Sequence, residues 1–339
     1  MSQPSRLRSA AAFLAKLVIS VGILVWLFQH TDVSAVAARA RTAHVGWVVA
    51  GLAIYAVMVV LSSWRWQLLL GAQGFHAPLN RLNASWMVAL FFNNFLPSNI
   101  GGDVIRIADS VAITRSRTVA AAVVLVDRAI GLAALLVIAA SGAWIASMQG
   151  INVPGRDYVW MAAVGMVVAG LPVMLKPALL IRLLEPIGKL HPELFGKRID
   201  RFSDTLHRIA EAPARLWGAV AGALAVQFLI VIFYLCIAWA IDAPLPPLAG
   251  FVIVPVSLVL QMAPVSVNGF GVREAIFAWF FSRLGLPTDA AIALSLLSTA
   301  TVMLFSLGGG VIWVVRRNHP VPAPATQTST ELEALGDYS

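Results

Sequence analysis

Charge is scarce in this chain. Only 12% of its 339 residues are Asp, Glu, Lys or Arg, and 59% are hydrophobic. Soluble domains carry about 25% and 45–50% respectively. A soluble fold with so few charges cannot cover its own surface. The composition therefore implies an all-α polytopic membrane protein whose exterior faces lipid. Cysteine is nearly absent too. Cys236 stands alone, which excludes an internal disulfide and a thiolate metal site. The six histidines (His30, His44, His76, His191, His207 and His319) show no i, i+4 spacing, so no helical metal pair is expected. There is no G-x-x-x-x-G-K-[ST] loop and no G-x-S-x-G elbow, so neither ATP hydrolysis nor triad chemistry is expected. The net charge of +8 is not gathered among aromatics on a polar fold, so no nucleic-acid partner is expected. No cofactor is expected either.

What the chain does have is uncharged length. Residues 46–63, 129–155, 158–175, 216–241, 243–272 and 290–315 carry no charge. An 18-residue helix covers about 27 Å, close to the hydrocarbon thickness. Residues 9–28 are a further span, with Lys16 snorkelling to the interface. A cleaved signal peptide fits them less well, because the run is long and Ala35-Val36-Ala37 lies well past its end. The loops set the orientation. With the N-terminus cytosolic, the eight Lys/Arg of segment 176–215 and the pair Arg316-Arg317 also fall on the cytosolic side. Both termini are then cytosolic. Six full spans are expected at 9–28, 46–64, 118–147, 158–175, 216–241 and 290–315.

Two hydrophobic stretches do not fit as simple spans. One contains Pro97, Gly101, Gly102 and Arg106; the other contains Pro264, Gly269, Gly271 and Arg273. Both read P-x4-G-x3-R. Proline ends a helix and glycine permits φ > 0. The freed backbone groups must be buried in protein or line a wet cavity. Each stretch is expected to be a re-entrant broken hairpin. Residues 46–147 and 215–315 are then inverted repeats within one transmembrane domain, 1–317, with a cytosolic insertion at 176–215 and a disordered tail at 318–339.

Helix starts just after the glycines present free N–H groups and a positive dipole end. Arg106 and Arg273, one turn further on, could grip an anionic headgroup from both sides. Asp127 and Arg128 lie near the middle of their span and cannot neutralise each other as neighbours. Their expected partners are Arg106, Arg273, Asp103, Glu274 or a substrate. Arg128 is a candidate for anion binding. Asp103, Asp127 and Glu274 are candidates for ion pairing or proton coupling, and Arg273 and Glu274 are expected to point apart. A buried network that only fixes helix register is the competing account. Asn93, Asn94, Asn99, Ser98, Ser266 and Asn268 supply neutral groups around the breaks, with Asn94 and Asn268 as candidate ligands. Arg65, between Trp64 and Trp66, is expected to be an interfacial anchor. In the insertion, Ile199, Phe202, Leu206 and Ile209 recur at helical spacing, fitting either an anionic lipid surface or a plain connecting helix.

The combination N-N-F-L-P-x-x-I-G-G-D-x-x-R at 93–106, D-R-x-x-G-L at 127–132 and P-x-S-x-N-G-x-G-V-R-E at 264–274 resembles the flippase-like transmembrane family. That family includes the membrane half of the lysylphosphatidylglycerol synthases. The resemblance runs from about residue 10 to 317. It implies a bacterial inner-membrane protein that moves a lipid or lipid-linked precursor between leaflets, with Asp103, Arg106, Asp127, Arg128, Arg273 and Glu274 as shared polar positions. The chain stops 22 residues after Arg317, so the aminoacyl-transferase activity is expected to be missing. Anionic membrane lipids are the expected partners. A membrane-embedded transferase and a non-catalytic partner of a glycosyltransferase or synthase, docking through 176–215, are the alternatives.

Overall fold

The computed structural model describes residues 3–95, 101–175, 202–262 and 265–318. Among these, all regular secondary structure is helical. Helix α1 runs Gln3–Gln29, α2 Val33–Arg41, α3 Val45–Ala72, α4 Leu79–Phe95, α5 Gly101–Thr114 and α6 Arg117–Met148. Helix α7 is Arg156–Leu175, α8 Pro213–Ala240, α9 Pro247–Gln261, α10 Val272–Arg283 and α11 Thr288–Asn318. Residues 202–210 are also helical.

Among the described residues, α3, α6, α8 and α11 are long and apolar enough to cross a membrane, which makes this a multi-pass membrane protein. At 28 residues, α3 is about 42 Å long, more than the ~30 Å hydrocarbon core. The stretch Leu17–Gln29 of α1 forms a bent pair with α2, at 92°. Asp32 makes this corner. Its Oδ1 accepts hydrogen bonds from Ser34 N at 2.9 Å and Ala35 N at 3.1 Å, capping α2. The bond from the Ser34 hydroxyl adds to these and holds the Asp32 carboxyl below the usual carboxylate range. Arg39 of α2 then reaches Asp289 at the start of α11, Nε to Oδ2 2.7 Å.

Two interruptions divide the remaining apolar helices, between α4 and α5 and between α9 and α10. Pro97 and Pro264 lie outside the described residues. At the first break, Asn93 Oδ1 accepts from Gly102 N at 2.7 Å, and a Cβ on Gly102 would collide with the Ala89 carbonyl. Helices α4 and α5 therefore meet at backbone distance. At the second, Asn268, Gly269 and Gly271 all have positive φ (51°, 77° and 83°), a conformation open to glycine and tolerated by asparagine. Glu274 Oε2 accepts from Gly271 N at 2.7 Å and closes the start of α10. The breaks touch: Asn268 Nδ2 donates to the Asn94 carbonyl at 3.3 Å.

Helices α3 and α8 pack along each other. Helix α4 packs on α11, and α9 on α6; α5 packs on α6, and α10 on α11. Glycine makes the two long crossings close. A Cβ on Gly142 of α6 would come within 2.6 Å of the Phe251 Cβ on α9, and one on Gly309 of α11 would overlap the Met87 carbonyl on α4. The main core lies among α6 and α8 to α11, around Phe233, Ile253, Phe277, Phe281 and Ile292. A second cluster gathers Trp66, Leu69, Leu70, Leu82 and Val123. Ile209, from helical residues 202–210, is buried in it, and Gln73 Nε2 donates to Thr205 O at 2.9 Å. This face of the insertion packs on protein; residues 176–201 lie outside the described residues.

Overpacking of this kind costs about 1–3 kcal/mol. Gly309→Ala is expected to lower the thermal unfolding midpoint in detergent, whereas Gly46→Ala, whose Cβ meets nothing within 4 Å, should leave it unchanged. Equal midpoints for the two variants would remove the close crossing from the account.

Candidate functional site

Five charged side chains converge from three helices. Arg65 comes from α3, Asp103 and Arg106 from α5, and Asp127 and Arg128 from α6. Asp127, 1% exposed, is the hub. Its Oδ1 accepts from Arg65 Nε at 2.5 Å and its Oδ2 from Arg106 Nη2 at 2.9 Å. Asp103 lies 3.9 Å from Arg106 Nη1 and pairs with Arg128 Nε. Neighbouring helix positions diverge by about 100°, so Asp127 and Arg128 address different partners. Arg106 is also sandwiched by aromatics, its Cζ 4.0 Å from the Trp86 ring centroid and 4.8 Å from that of Trp66. Such stacking stabilises a desolvated guanidinium.

These groups line a cavity of about 330 Å³. Asn93, Ser62 and Gln227 add neutral polar atoms, and Leu132, Leu135, Val226 and Leu258 form its apolar wall. Asp127 is about 15 Å along α6 from Arg117, inside a helix long and apolar enough to cross a membrane. Three arginines face two aspartates here, a net charge of +1. Arg65 Nη1 is buried and makes no hydrogen bond.

A second cluster sits on α10 and α11. Arg273 Nε donates to Ser295 Oγ at 3.0 Å, and the Ser295 hydroxyl donates to Glu274 Oε1 at 2.8 Å. Arg273 Nη2 is 3.3 Å from the same oxygen. Glu274 is 0% exposed. The cluster is neutral and lines none of the cavity around Asp127. Among the described residues, no three His, Cys, Asp or Glu side chains gather as a metal site.

The structure thus brings Arg106, Arg128, Asp103 and Asp127 together and holds Arg273 and Glu274 apart from them. Asn94 and Asn268 join the two breaks rather than line the cavity, and Asn93 lines it instead. Two expectations need correction. Arg65 is no interfacial anchor: α3 continues about two turns past it, and it is 5% exposed against Asp127. Arg273 and Glu274 do not point apart, because Ser295 draws both side chains to one hydroxyl. The signal for Arg65 was an aspartate in a distant span that lacked a second partner.

Removing the hub of a buried ion triad strands two arginines, at a cost of about 3–5 kcal/mol. Asp127→Asn should therefore lower detergent stability more than Asp103→Asn, whose side chain is 12% exposed against 1% for Asp127. Equal losses measured by thermal unfolding would deny Asp127 this role.

No curated protein matches the sequence. One family does. Its description is the lysylphosphatidylglycerol synthase TM region, and it matches residues 13–310, most of the chain and both charged clusters. The protein therefore belongs to the family of the lysylphosphatidylglycerol synthase transmembrane region.

Proposed function

We propose that this protein moves an anionic lipid, or a lipid-linked precursor with an anionic head, across the bacterial cytoplasmic membrane. The observation that carries the proposal is the cavity around Asp127, which puts a net positive polar end against an apolar wall within the helix bundle. A headgroup can enter such a space while its tails stay among apolar side chains or lipid. Charge at this depth is costly and is retained where it serves a function. The carboxylates that a transferase would use as bases, Asp103, Asp127 and Glu274, are each engaged with arginine. That engagement favours binding over base catalysis. Movement is downhill or coupled to an ion gradient, and both termini are cytosolic.

The proposed architecture has six full spans and two re-entrant hairpins related as inverted repeats. Exchanging α3 to α6 with α8 to α11 leaves the packing partners unchanged, which supports it. So does the glycine pair: Gly309 stands as far after Arg273 as Gly142 does after Arg106, and a Cβ on either would collide with the facing helix. In this repeat the positively charged cavity belongs to the first half, and the neutral cluster at Arg273 is its structural counterpart.

Reconstitution in liposomes with headgroup-labelled anionic lipid tests the proposal. Losing charge-assisted hydrogen bonds should slow transbilayer movement by ~tenfold or more in an Arg65→Gln/Arg106→Gln variant. Arg128→Gln, at a half-exposed position, gives a second test should the double variant not fold. Wild-type rates in folded variants would sink the assignment.

A further inference from the structure

We infer that the cavity selects a headgroup with one negative charge, a phosphodiester monoanion, seated against Arg65 in a space left by Gly131. The inference rests on the proposed headgroup role of this cavity and specifies its ligand.

Charge balance is the first support. The five charged side chains of the cavity sum to +1. Arg128, the half-exposed member, leaves the lining one positive charge in excess, and one negative charge neutralises it. A pyrophosphate would leave an excess of negative charge, and a zwitterion would leave the arginine uncompensated. The second support is a donor without an acceptor. Arg65 is 5% exposed, lines the cavity, and has Nη1 buried with no hydrogen-bond partner. Buried donors are nearly always paired, so this N–H group is a vacant position for an oxygen atom.

Gly131 is the third support. It lies inside α6, where glycine is a poorer helix residue than alanine. It does not have positive φ, so its backbone does not require glycine. A Cβ there would meet nothing closer than Arg65 Nη1 at 3.7 Å, followed by Nη2 at 3.8 Å and Gln227 Nε2 at 3.9 Å. These are ordinary contact distances, so packing does not require glycine either. What glycine keeps open is the space facing the guanidinium and the Gln227 amide, which is held in place by its bond to Gly131 O at 3.2 Å.

Native mass spectrometry of the purified full chain tests this. The probes are an equimolar mixture of phosphatidylglycerol, phosphatidic acid, phosphatidylcholine and a polyprenyl pyrophosphate. Phosphatidylglycerol should be retained ahead of the others. Gly131→Ala should keep the wild-type unfolding midpoint yet lose retention by ~tenfold, since one charge-assisted hydrogen bond is at stake. Equal retention of all four lipids, preference for the pyrophosphate or the zwitterion, or an unaffected Gly131→Ala would each overturn the inference. Competition with tail-free glycerophosphoglycerol separates two sources of the same chemistry. Displacement points to a soluble phosphodiester and its absence to a lipid, and either result supports the charge rule. Selective retention without transbilayer movement would defeat the transport proposal alone, and movement without selectivity would defeat this inference alone. The wild-type selectivity stands as a test even if the variant fails to fold.

Discussion

A single carboxylate holds the polar interior together. Asp127 takes Arg65 on one oxygen and Arg106 on the other, and so ties α3, α5 and α6 at one point. Moving such charges out of water costs several kcal/mol per ion before any attraction is counted. Arg106 and Arg128 have further support beyond the hub. Arg106 lies between two tryptophan rings, and Asp103 shares it with Arg128. The cluster is incomplete at Arg65 Nη1 and at Arg106 Nε, both buried without a hydrogen-bond partner on residues that line the cavity.

The two breaks have the same backbone devices and different electrostatics. Both use glycine and a side-chain oxygen to satisfy backbone at the interruption: Asn93 for Gly102, and Glu274 for Gly271. Beyond them the halves diverge. Around Arg106 there are four further charges and a cavity. Around Arg273 there is one carboxylate, one serine hydroxyl and a closed core. Glu274 serves there as cap and counter-ion at once. A sequence motif shared by two segments thus stands in two different electrostatic settings.

Much of the helix layout was legible from uncharged length alone, because lipid exposure leaves a strong compositional record. Ends were less legible. The run 46–63 stops at the first charge, yet α3 continues to Ala72, since Arg65 is neutralised by a residue 62 positions away. Local sequence carries no sign of such a partner. Helix α2 was missed, although Asp32 followed by Ser34 is an N-cap signal. Of the five charged residues of the site, Asp103, Arg106, Asp127 and Arg128 were marked in the sequence, but Arg65 and the grouping were not. Arg106 and Arg273 looked equivalent by spacing, and only the side chains of other helices separate them. The six polar positions that the family resemblance marks sum to zero; Arg65 brings the sum to +1, with Arg128 half-exposed among them.

The glycine crossings bear on how such a molecule can move. Gly142 joins α6 to α9, and Gly309 joins α11 to α4. Each crossing links a helix of segment 46–147 to one of segment 215–315, and each does so at backbone distance. Rocking one segment against the other as a rigid body would have to open both crossings together. The short helices that follow the breaks, α5 and α10, take part in neither crossing. Of these, only α5 carries charges that face the cavity. It too is tied to the frame, by Gly102 against α4 and by Arg106 to Asp127.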